Sequence, residues 1–171
     1  MVIKTLNILC LLLILISCKN NQETSPDDNV EKQSQEITEL DISKLKYTDY
    51  ALDAKTEDVI KDWQAYYQLQ DVIINIKKGD LSFFNNNEEE VKILLSKLRE
   101  SIPQQISSPS VLARMLVLET KILKLESLSN LVTTNKEELL NTIKEFLVAC
   151  SNINFQMNKK IEFDGRDIEK P

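Results

Sequence analysis

The chain has 171 residues, 21 basic and 27 acidic side chains for a net charge of −6, three cysteines, two glycines and no histidine. Its lysines never form a run longer than two, so it lacks the clustered basic surface that a phosphate backbone requires, which argues against nucleic acid as a partner. The absence of histidine removes the commonest general base and metal ligand and every Ser-His or Cys-His arrangement, and Gly79 and Gly165 alone cannot build a phosphate-cradling loop. The expectation is therefore a protein with no catalytic residues, no cofactor and no metal, and not an enzyme.

At the start, Lys4 precedes an apolar stretch from Leu6 to Ile16 and the small residue Ser17, the anatomy of a secretory signal over residues 1–17. The stretch is shorter than the roughly 20 apolar residues of a membrane-spanning helix, and the Lys19-Asn20-Asn21-Gln22-Glu23 sequence that follows cannot enter hydrocarbon, so cleavage before Cys18 is predicted. The run Leu15-Ile16-Ser17-Cys18 resembles the lipobox of bacterial lipoproteins. That resemblance implies a diacylglyceryl group on the Cys18 sulfur, acylation of the new amine by palmitate-like chains, and a place in the bacterial cell envelope, at the outer membrane. Two or three chains hold a protein where one binds only marginally. Losing Lys4 with the signal moves the net charge from −6 to −7, so attachment rests on lipid and not on charge. Surface export in Bacteroidota resembles an acidic cluster directly after the lipidated cysteine; Lys19-Asn20-Asn21-Gln22 carries none, which points to the periplasmic leaflet while leaving the face open. With Cys10 removed and Cys18 acylated, Cys150 remains alone, and its place on a helix stripe predicts an inert, buried thiol.

Residues 18–47 are rich in Asn, Gln, Ser, Asp and Glu and read as a flexible tether, with 37–47 a candidate to dock on the domain. The folded domain is expected over 48–162, as an all-α, up-and-down four-helix bundle. Thr56 is read as the cap of a first helix carrying Val59, Trp63, Tyr66, Tyr67, Leu69, Ile73 and Ile76 and ending at Lys77-Lys78-Gly79, where glycine can take the left-handed cap. Phe83 and Phe84 in the next loop are expected to plug one end of the core. Asn87 caps a second helix opening on Glu88-Glu89-Glu90, whose acids favour the positive end of the helix dipole and point too far apart to converge on a metal. Its stripe is Val91, Leu94, Leu95 and Leu98. After Pro103, Ser108 and Pro109 open a third helix over 109–131, with Val111, Met115, Leu118, Ile122 and Leu125 in its stripe, Val132 rejoining it, and Leu112, Leu116, Leu123 and Leu128 widening it. The width predicts that this helix is the most buried. Thr134 and Glu137 form a capping box for a fourth helix bearing Leu139, Leu140, Ile143, Phe146, Leu147, Cys150, Ile153 and Met157, with Ile161 a further candidate, antiparallel to the third. Residues 163–171 read as a frayed tail.

Trp63, Gly79-Asp80, Phe83-Phe84, Ser101-Ile102-Pro103, Leu118-Glu119-Thr120 and Lys136-Glu137-Glu138 make residues 54–160 resemble uncharacterised helical lipoproteins of Bacteroidota, a resemblance that implies no activity. In composition the chain also resembles small helical surface lipoproteins of spirochaetes, which tend to bind host proteins or build the envelope. Two functions are expected from these features. One is a non-catalytic interaction domain contacting another envelope or host protein through Trp63, Tyr66 and Tyr67, since aromatic residues anchor interfaces. The other is a carrier of a small apolar ligand in the bundle interior, lined by Phe83, Phe84, Met115 and Phe146.

Overall fold

In chain order the computed structural model contains α1 (Glu39–Ser43), α2 (Ala54–Ile60), α3 (Gln64–Lys77), a 3-10 turn (Ser82–Phe84), α4 (Glu88–Glu100), α5 (Pro109–Asn130) and α6 (Lys136–Asp164). It describes residues 36–166; Cys18, the signal and most of the tether lie outside the described residues. The fold is an all-α helical bundle with no strand among the described residues. Four long helices correspond to the expected four, with three additions to the expected plan: a broken first helix, an N-terminal arm, and a longer last helix.

The break falls at residues 61–63. A continuous helix would put Trp63 and Tyr67 on one face. Instead Trp63 leaves the helical region at φ −83°, ψ 77°, its ring stacks on Tyr66 at 5.5 Å, and both are buried while Tyr67 stays 40% exposed. Burial of the indole's apolar area favours the break, against the cost of a Trp63 Nε1–H that has no hydrogen-bond partner among the described residues. Thr56 is consequently not the cap. Asp53 occupies that position, and the Thr56 hydroxyl is buried with no hydrogen-bond partner among the described residues.

The packed structure begins well before residue 48. Thr38 and Asp41 form a reciprocal capping box for α1, and Ile37 and Ile42 join the core. The Asp41 carboxylate meets Lys136 at 2.7 Å, and that hydrogen bond, with those from Thr38, holds its carboxyl well below the usual carboxylate range. Gly79 takes the expected left-handed cap at φ +84° and also makes room for the arm: a Cβ there would lie 2.6 Å from the Ile37 carbonyl oxygen. Further along, residues 48–53 run extended over α6. Ser151 Oγ accepts from the Tyr50 amide at 2.8 Å and donates to the Thr48 carbonyl at 2.7 Å. Asn154 donates to the Tyr50 carbonyl, and Asn158 both accepts from the Asp53 amide and donates to the Ala51 carbonyl. Three polar residues at helical spacing thus satisfy a backbone that has no ladder of its own.

The order of burial among the helices reverses the expectation. The largest number of buried residues lies on α6, ten including Phe146, Leu147 and Met157, and the largest share on the shorter α3, six of 14. In α5 only Val111, Leu118, Ile122 and Leu125 are buried, while Leu112, Leu116, Val117 and, beyond the helix, Val132 are exposed. Packing against α4 on one side and α6 on the other leaves the remaining arc of α5 facing solvent. Its start is as read, with Ser108 accepting from the Val111 amide and Pro109 in the first position. The antiparallel pairing with α6 is marked by Lys121 and Lys124, which reach Glu145 at 3.1 and 3.2 Å across similar distances from the turn. The cap of α6 is Asn135, which accepts from the Glu138 amide at 2.8 Å, one residue later than the expected Thr134. The helix runs on through Phe163 and Asp164, which the sequence assigns to the tail. Asn87 holds the capping position of α4 without accepting there; its amide donates to the Phe83 carbonyl.

Candidate functional site

Two surfaces stand out. The first is a groove of about 280 Å³ between α4 and α5, floored by Leu95, Leu98 and Leu118 and walled by Leu112, Met115 and Leu116. Leu116 is 60% exposed. At the rim Arg99 and Glu119 form an ion pair across the two helices at 2.5 Å. Apart from that pair the lining is hydrocarbon, so the groove offers shape and apolar area but no reacting group.

The second is a polar cleft of about 600 Å³ where the extended arm crosses α3 and α6, lined by Asp49, Tyr50, Glu57, Tyr66, Tyr67 and Lys77 among others. Lys77 and Asp49 pair at 2.6 Å. Tyr66 donates its hydroxyl hydrogen to Asn154 Oδ1 at 2.9 Å. Burial, with smaller contributions from the neighbouring Cys150 and Tyr67, pushes the Tyr66 hydroxyl up from its ordinary value. Tyr67 packs edge-to-face with Tyr66 at 5.7 Å.

Of the three aromatic residues picked from sequence, only Tyr67 offers much surface. Trp63 and Tyr66 are 2% and 4% exposed, and their first task is packing; Tyr66 contributes one edge to the cleft. The proposed ligand-pocket residues are dispersed. Phe84 and Phe146 are fully buried, Met115 lines the α4–α5 groove, and Phe83 lines a different surface groove with Glu90 and Leu94. Cys150 is a buried free thiol, pushed up by burial and then by Asp49, consistent with an inert side chain. Among the described residues no cluster of three metal-ligating side chains occurs, and no helix is long and apolar enough to cross a membrane. Tyr50 and Phe155, an exposed pair with ring centroids 4.8 Å apart, escaped sequence reading because their meeting depends on the arm crossing α6. The spacing of Ser151, Asn154 and Asn158 beside the apolar stripe of α6 is the one available signal.

Compared with family models, with curated proteins and with solved structures, the chain matches none.

Proposed function

We propose that this chain is a lipid-anchored protein of the bacterial cell envelope, held at the outer membrane through Cys18, whose helical domain is a non-catalytic interaction module for another envelope or host protein. The anchor is supported by the Leu15-Ile16-Ser17-Cys18 run and its apolar lead-in. The interaction reading is carried by the α4–α5 groove. Its walls expose Leu112 and Leu116 beside an apolar floor, and contiguous exposed apolar surface marks interaction sites. A groove between two helices suits one apolar side of a partner helix.

The test places a photoreactive side chain at Leu116 and, as control, at exposed Lys55, in the lipidated full chain in its native envelope. A discrete protein adduct at Leu116, absent at Lys55 and suppressed by Leu112→Glu, is the expected result. No adduct, or equal adducts at both positions, removes the reading and leaves a small apolar ligand as the occupant of the groove. The anchor is tested separately: Cys18→Ala should lose incorporation of a palmitate analogue, and equal labelling of both proteins would remove it.

A further inference from the structure

The arm cleft is too structured to be only a gap beside the bundle. Tyr50, Tyr66 and Tyr67 all line it, and the last two are fixed before any ligand arrives: Tyr66 is stacked on Trp63, its hydroxyl is held by Asn154, and Tyr67 is set against its face or edge at 82°. A rigid aromatic wall costs little entropy on binding.

The charges in the cleft are unequal. Lys77 is neutralised by Asp49 at 2.6 Å, and Asp49 by Lys77, whereas Glu57 has no ion pair among the described residues although it lines the same space. What remains is one unbalanced carboxylate beside tyrosine rings, whose faces are electron-rich. Both features attract an organic cation and repel an anion. A hard metal ion would need several oxygen ligands, more than one free carboxylate supplies.

Hydrogen bonding narrows the class of cation. Glu57, the Gln70 amide oxygen and the Tyr67 hydroxyl are acceptors lining the cleft and uncommitted among the described residues. A quaternary ammonium has no hydrogen to offer them. A guanidinium offers five N–H donors in a planar fork that can also stack on an aromatic ring. From this geometry we propose that the arm cleft is a binding site for an arginine side chain of a partner polypeptide, seated between Tyr67 and Glu57. The proposal rests on the interaction-domain reading only for the source of the arginine, and it concerns a different surface from the apolar groove.

The experiment titrates the lipidated full chain in detergent micelles, with ¹³C-labelled tyrosine rings, using N-acetyl-arginine amide and an Ac-Gly-Arg-Gly amide peptide. N-acetyl-citrulline amide, choline and glucose are the comparison ligands. Both arginine probes are expected to shift the Tyr67 ring resonance saturably, with the peptide at least as tight, while neutral citrulline gives at least about fivefold weaker binding. Glu57→Gln, read at the Tyr67 ring, and Tyr67→Ala, read at the Tyr66 and Tyr50 rings that line the same cleft, should each weaken the arginine probes by about fivefold or more. Glu57 is exposed, so the urea midpoint of Glu57→Gln should stay at that of the parent chain, which separates loss of binding from loss of fold; Tyr67→Ala gives up its packing on Tyr66, and its binding is compared below the onset of its own urea transition. Citrulline binding as tightly as arginine, arginine binding unaffected by Glu57→Gln, or preferential saturation by choline or glucose would each overturn the proposal. So would the absence of any saturable shift with the arginine probes. None of these results bears on crosslinking at Leu116.

Discussion

Ser151 satisfies two backbone groups of the arm with one buried hydroxyl, donating to Thr48 and accepting from Tyr50. Ser151→Ala removes the partner of both groups, whose bonds are part-buried, and the expected cost is about 1 kcal/mol, read as a lowered urea midpoint by circular dichroism. An unchanged midpoint would mean that the arm's backbone finds water as readily as it found Ser151. Thr56 makes the opposite case. As a helix cap its replacement would cost about 1 kcal/mol. Buried inside α2 without a hydrogen-bond partner among the described residues, it should accept Thr56→Val with no loss of stability or a gain, and a midpoint lowered by more than 1 kcal/mol equivalent would restore the capping role. The burial of Cys150 was legible because its place on an apolar stripe is a property of the sequence. Trp63 was not, because whether an aromatic ring faces in or out depended on a helix break with no proline or glycine to announce it.

Among the elements, α5 separates apolar content from burial. Its sequence carries leucines over most of its circumference, yet Leu118 is 2% and Leu116 60% exposed. A charge at the first position must enter an apolar core, so Leu118→Lys should cost several kcal/mol, while Leu116→Lys should change stability by about half a kcal/mol or less. Urea unfolding of the two variants gives the comparison directly. If both fall equally, the α4–α5 groove is closed in solution and Leu116 belongs to the core. Periodicity reported the inner stripe of α4 in full and most of that of α6, where Leu140 and Ile161 are only half-buried and Thr142, Ala149 and Ser151 join the buried face. It could not rank α5 against α6, since the number of neighbours that a helix touches is set by topology. Capping signals placed the start of α5 at Ser108-Pro109 but missed α6 by one residue, where Thr134 and Asn135 are both competent caps and only Asn135 accepts from the Glu138 amide in the structure.

At the scale of the whole molecule, the arm decides where the domain begins. Polar composition makes residues 18–47 read as tether, and two isoleucines spaced five apart carry too little periodicity to contradict it. In the structure Ile37 and Ile42 enter the core, Gly79 leaves space for the chain, and Lys136 holds Asp41. The same arm crosses α6 at Ser151, next to the buried Cys150 thiol, on which its Asp49 is the strongest influence after burial. A chain starting at Ala54 should therefore lose about 3 kcal/mol or more from the two isoleucine burials alone, a large share of a domain's total stability, and should expose Cys150. A chain starting at Glu36 should retain both properties. The readouts are the urea midpoint and the rate at which Cys150 reacts with maleimide under native conditions, located by peptide mapping so that no other cysteine contributes. Were the chain from Ala54 to unfold at the same urea concentration as the chain from Glu36 and keep its thiol protected, the arm would be a passenger on a bundle complete without it. If instead the shorter chain is destabilised and its thiol reacts, the segment between the proposed anchor and the helices is a structural part of the bundle, and one wall of the tyrosine-lined cleft is lost with it.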